Sequence, residues 1–183
     1  MGGNGRLTDG VVETGAFAYA NGWVLPMDGP ELKREFAVNT SSLPSKQDVD
    51  DCLALTNYDV APWTRQSDVS NSFRCRLEGW GPNPPHLHNQ VHVWVGGSML
   101  EMTSPNDPVF FLHHCNIDRI WAMWQDADPN HGFLPTLPVT GRPSHSLNES
   151  LAIFANGSTN ASVLDYRSLN YIYDTSSSAL APF

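Results

Sequence analysis

Two pairs of histidines constrain this chain more than any other feature. His88 and His92 are spaced i, i+4, and His113 and His114 follow in a second segment; with His86 they make five of the seven histidines. On a helix, i, i+4 spacing puts both imidazoles on one face, one turn apart. The second pair follows Asn106-Asp107-Pro108. This is a helix start, because Asp107 caps orphan N–H groups and Pro108 suits the first helical position. Two helices aiming imidazoles at a common point make a three-histidine metal site. All-nitrogen ligation suits copper, zinc, iron or nickel rather than magnesium or calcium.

In the second segment Phe110, His114 and Asp118 fall on one stripe at i, i+4, i+8. Ile117, Ile120, Trp121 and Trp124 make a broad apolar face beside it. Asp118 lies one turn beyond His114, where its carboxylate can orient the imidazole, as metal-bound histidines require. His113 points away from that stripe, so His114 is the expected ligand, and His113, with Phe110 and Asp118, is a candidate to support or gate the site rather than to ligate it. Taken singly, His86, His113, His131 and His145 read as ordinary histidines; the last two sit in Pro/Gly-rich loop sequence.

The chain has 183 residues, enough for one domain with a real core. A net charge of -9 and the lack of a basic cluster argue against a nucleic-acid partner. No apolar run has the length of a membrane span. Met1-Gly2-Gly3-Asn4-Gly5 lacks the basic start and apolar core of a signal peptide. Four glycosylation sequons, at Asn39, Asn148, Asn156 and Asn160, nevertheless point to the secretory pathway. Three cysteines fit one disulfide and one leftover. Cys52 and Cys75 are the candidate pair, since Cys115 lies inside the second histidine helix; buried free thiols are the alternative.

Residues 1–37 read as an irregular, Gly-rich connector with a short strand at Trp23-Val24-Leu25. Residues 45–127 read as a helical core. Ser45 and Asp48 form a capping box for a helix to Leu55, broken by Asn57 to Trp63. A short helix over 71–80 ends at Glu78-Gly79-Trp80, and Pro82, Pro84 and Pro85 make an extended lead into a helix over 86–95. Gly96-Gly97 ends that helix, and the next runs over 107–127 and stops at Pro129. Residues 128–183 are loop-rich, with Leu151-Ala152-Ile153-Phe154 as an apolar anchor. The expected fold class is mainly α with long irregular loops.

His88-Asn89-Gln90-Val91-His92 and Asp107-Pro108-Val109-Phe110-Phe111-Leu112-His113-His114-Cys115-Asn116-Ile117-Asp118 resemble the second copper-binding half of the tyrosinase family. These are the type 3 copper proteins that include polyphenol (catechol) oxidases and hemocyanins. The resemblance implies half of a four-helix-bundle di-copper domain, with His88, His92 and His114 holding one copper. It makes Asn89, with Glu78, the holder of a water that takes the phenol proton, and Phe110 a gate over the site. It also likens Tyr171-Ile172-Tyr173 to the motif closing the family's catalytic domain, an ordinary buried strand being the alternative. The implied activity is oxidation of monophenols or o-diphenols to o-quinones with dioxygen, a monooxygenase and oxidase chemistry.

No histidine precedes His86, whereas the family site has two coppers and six histidines. One site is therefore expected here. The chain looks like the second half of a secreted oxidoreductase, completed by a missing N-terminal half or a partner chain. Alone it is expected to be marginally stable and inactive, with the face carrying Phe110, Ile117, Trp121 and Trp124 bare. A non-enzymatic copper-binding relic, a hemocyanin-like oxygen carrier, and zinc in place of copper are the alternatives.

Overall fold

The computed structural model describes residues 1–27, 29–80, 86–151 and 157–174. The proline lead at 82–85, most of the apolar anchor at 151–154 and the sequon asparagine Asn156 lie outside the described residues. The fold is mainly α with long irregular connections, as expected. Its helices are α1 (Lys46–Leu53), α2 (Phe73–Glu78), α3 (Leu87–Val95), α4 (Val109–Ala127) and α5 (Asn160–Val163), with short 3-10 turns between them. The chain divides into two units, Met1–Val49 with Pro82–Ile117, and Asp50–Gly81 with Asp118–Phe183.

In the first unit, α1 begins where Ser45 and Asp48 exchange side-chain and backbone hydrogen bonds, Ser45 N–H donating to Asp48 Oδ2 at 2.8 Å and Asp48 N–H to Ser45 Oγ at 3.2 Å. Helix α3 ends at Gly96, whose N–H donates to His92 O. The next residue, Gly97, must be glycine: its φ is +52°, and a Cβ there would lie 2.4 Å from Lys33 O. That close approach lets residues 33–37 run along the end of α3. Ser98 N–H donates to Lys33 O, Glu35 N–H to Val95 O and Ala37 N–H to Trp94 O, while Phe36 stacks on Trp94 at 4.9 Å.

The strand expected at Trp23-Val24-Leu25 does not form. The described residues contain only isolated bridges, among them Val11 with Lys33. Pro26 and Pro30 flank this turn and remove the donors a ladder needs. Leu25 N–H bonds to Pro30 O instead. Leu25 folds inward with Val12 and Leu32 into a small core, with Phe17 and Trp23 against it, while Val24 is exposed.

One ion pair ties this connector to the start of α4. Arg34 (1% exposed) donates from Nε and Nη2 to Asp107 (0% exposed), both at 2.8 Å. Its Nη1 donates to the carbonyls of Met1, Gly2 and Gly3. Asp107 Oδ1 also accepts the Val109 N–H at 2.9 Å, so the capping role read from the sequence is present.

The second unit is organised around Trp124 of α4. Its ring lies between Phe73 at 4.4 Å and His131 at 4.1 Å, nearly parallel to both, and its Nε1–H donates to Leu55 O. Trp124 is therefore fully buried rather than bare. The large apolar side chains that α4 leaves exposed are Phe111 and Leu112, at 62% and 63%. Cys52 and Cys75 are separate buried thiols and not a disulfide. Cys52 Sγ lies 3.9 Å from Phe73 O and Cys75 Sγ 3.2 Å from Thr64 O, and burial pushes the Cys52 thiol up to about 12, as an inert core cysteine.

Candidate metal centre

Helix α3 presents His88 and His92 from successive turns, and the first part of α4 presents His113 and His114. One nitrogen from each of the four lies within 4.8 Å of the others. Nε2 of His114 is 3.3 Å from Nε2 of His88 and 3.3 Å from Nε2 of His92. Two nitrogens held at the metal–imidazole distance of about 2.0–2.1 Å on tetrahedral arms stand about 3.3–3.4 Å apart. The spacing and the all-imidazole donor set fit a copper-class ion.

The other ring nitrogens fix the tautomers. His92 Nδ1–H donates to Met99 O at 2.7 Å, and His88 Nδ1–H to Asn89 Oδ1 at 3.0 Å. Both acceptors lack protons, so in both rings the lone pair is on Nε2, the nitrogen that faces His114. Phe110 stacks on His114 with ring centroids 3.9 Å apart. Asp118 Oδ2 accepts the hydroxyls of Tyr171 and Tyr173, at 2.7 and 2.6 Å. Those two phenols, expected in a closing motif or a strand, form a clamp on the carboxylate through charge-assisted O–H bonds. Glu78 is the half-buried last residue of α2, in the second unit.

His113, expected beside the site rather than as a ligand, belongs to the cluster. It is buried, its Nε2–H donates to His88 O at 3.0 Å, and its ring lies parallel to that of His88 at 5.2 Å. What the sequence did not give is its partner, because a backbone carbonyl acceptor has no side-chain signature; the same holds for Met99 O. His86 sits 3.4 Å from Asp48, His131 stacks on Trp124, and His145 is exposed with Nδ1–H donating to Pro143 O. Among the sequons, Asn39 and Asn148 are exposed. Asn160 uses its amide nitrogen on Ser144 O and Ser146 O, the atom a glycan would need.

Burial first, and the neighbouring imidazoles second, push His113 down to about 3 and His114 down to about 4 from the ordinary 6.5. A depressed folded value means the unfolded chain binds protons first as pH drops. The stability these groups contribute is present above pH 6.5 and lost as pH falls toward 3. The metal-free chain is therefore expected to melt at progressively lower temperature from pH 7 to pH 4, with a shallower slope in a His113→Asn variant. Equal slopes would show that His113 does not carry the effect.

Residues 3–127 match the profile described as the common central domain of tyrosinase. The chain belongs to the tyrosinase family. It is 45% identical over 180 residues to a tyrosinase of Streptomyces antibioticus, covering 95% of this chain and 62% of that protein. It is 42% identical over 202 residues to a grixazone synthase of Streptomyces griseus, covering 95% and 65%. A tyrosinase of the frog Pelophylax lessonae is 31% identical over 162 residues, covering 80% and 30%. The chain thus spans less than two thirds of the length of these curated relatives. Family membership and the histidine cluster together make this a copper-binding tyrosinase-like domain. No helix among the described residues is long and apolar enough to cross a membrane.

Proposed function

We propose that the chain supplies one copper site of a tyrosinase-like oxidoreductase that oxidises monophenols or o-diphenols to o-quinones with dioxygen. The observation that carries this reading is the convergence of the His88, His92 and His114 Nε2 atoms at metal-ligand spacing. Copper held there supplies the redox chemistry of phenol oxidation. The remaining work belongs to the chain. Met99 O and Asn89 Oδ1 keep His92 and His88 in the metal-binding tautomer. His113 holds the backbone of His88. Phe110 covers one face of the His114 ring and keeps water from it. Glu78, with Asn89, is proposed to hold the water that takes the phenol proton.

The partners in this reading are dioxygen and phenolic small molecules, with the rest of the enzyme provided by an N-terminal half or a partner chain. A secreted, glycosylated longer protein is part of the same proposal, Asn39 and Asn148 offering exposed acceptor amides. A copper-binding module without turnover is the second reading. It is favoured by the engagement of His86, His131 and His145 elsewhere, which leaves one histidine cluster among the described residues.

Copper titration of the purified chain, followed by a catechol oxidation assay, tests both. The expected result is one tightly bound copper per chain. Oxidation is expected only when a second histidine-bearing helix pair of a family enzyme is co-expressed. Absence of copper binding would sink both readings; binding with no oxidation in any such complex would leave the module.

A further inference from the structure

Two adjoining cavities in the second unit share no residue with the histidine cluster. One, of about 370 Å³, is lined by Arg65, Arg74, Arg142, Trp63 and Trp80. The other, of about 190 Å³, is lined by Tyr58, Trp121 and Phe133. Arg74 and His145 line both, so the two are parts of one cleft.

The polar half is cationic in a chain of net charge -9, and three of the chain's ten Lys and Arg residues line it. Neither Arg65 nor Arg142 has a side-chain partner among the described residues. Arg74 is held by Asp59 through Nε at 2.8 Å and by Thr64 O through Nη2 at 3.0 Å, leaving Nη1 uncommitted. The Asp59 carboxylate also accepts from Arg74 Nη2 at 2.7 Å, from Val60 N–H and from the Ser72 hydroxyl. Its charge and that of Arg74 offset each other, so the uncompensated positive charge in the cleft comes from Arg65 and Arg142.

The other half is aromatic. Tyr58 packs on Trp121 at 5.5 Å and on Phe133 at 4.6 Å. A cavity of about 150 Å³ holds one benzene ring, so this chamber has room for one. Trp121 adds an unused donor, its Nε1 being buried with no hydrogen-bond partner. A buried orphan donor of this kind calls for an acceptor.

We propose that this cleft binds a small aromatic oxyanion. The ring fills the Tyr58–Trp121–Phe133 chamber, and the carboxylate or phosphate faces Arg74, Arg142 and Arg65. Guanidinium forks suit either oxyanion, and the apolar wall with few polar anchors is the usual form of a small-molecule site.

Calorimetric titration of the full chain, with and without copper, tests this. The probes are benzoate and phenyl phosphate, which distinguish the two oxyanions, with acetate and benzyl alcohol as half-ligands. One of the ring-bearing anions is expected to saturate in the millimolar range or tighter, equally in both metal states. Both half-ligands are expected to bind at least about tenfold more weakly, a loss equal to one decade of affinity. Arg142→Gln is expected to weaken binding by a similar factor, Arg65→Gln and Trp121→Phe by less. Arg65 is exposed, so its variant tests the site even if another fails to fold. Ring-bearing anions binding no better than acetate, or unaffected by all three variants, would overturn the proposal.

Discussion

Replacing His92 with alanine is expected to abolish tight copper binding while leaving the helices in place. The Nε2 atoms of His88 and His92 each lie 3.3 Å from that of His114, so losing His92 leaves two of these three donors and an open coordination position. Loss of a residue that merely supports a ligand lowers metal affinity roughly 10- to 100-fold; loss of the ligand itself is expected to exceed that. A second readout is stability. Copper at 100 times its Kd stabilises a native chain by about 2.7 kcal/mol. For a chain of this size that is a rise in melting temperature of roughly 5–10 °C, and the variant is expected to show none of it. His86→Ala is the control, because His86 faces Asp48 outside the cluster. A chromophoric chelator competition assay measures both. Equal copper affinity in the two variants would rule out His92 as a ligand.

The helices around this site were readable because their signals are local. The i, i+4 histidines, the Ser45–Asp48 box, Asp107-Pro108 and Gly96-Gly97 each act within one or two turns, and α1, α3 and α4 begin and end beside them. The strand expected at Trp23-Val24-Leu25 failed because Trp23 and Leu25 pack inward whether or not a ladder forms, and Pro26 follows at once. Asp118 was legible as a carboxylate one turn from His114. Its tyrosine partners, more than fifty residues later, carry no spacing rule that links them. His113 illustrates the same limit from the other side. Its neighbour shares the stripe with Phe110, yet what recruits His113 is the carbonyl of His88 on another helix. The Cys52–Cys75 pairing rested on counting, and a count cannot separate a disulfide from two buried thiols held by different carbonyls.

Arg34 and Asp107 left no mark in any local pattern, being 73 positions apart, yet breaking them is expected to have the largest effect on stability. Arg34→Met leaves the Asp107 carboxylate buried with its charge uncompensated. Such a change costs about 3–5 kcal/mol, or roughly 6–20 °C in melting temperature for a chain of 150–250 residues. It also frees the carbonyls of Met1, Gly2 and Gly3 from their donor. The copper site is expected to feel it, because Asp107 caps the helix that carries His113 and His114. Copper affinity should fall together with melting temperature. Asp107→Asn keeps a capping oxygen for Val109 but strands the guanidinium, and is expected to lose stability on the same scale. The double variant removes both charges, so its loss should be smaller than the sum of the two single losses, the sign of direct coupling. A melting series of the four proteins with circular dichroism decides this. Additive losses, or an unshifted Arg34→Met, would mean that the connector is held by its backbone bonds to α3 and that the ion pair contributes specificity rather than stability.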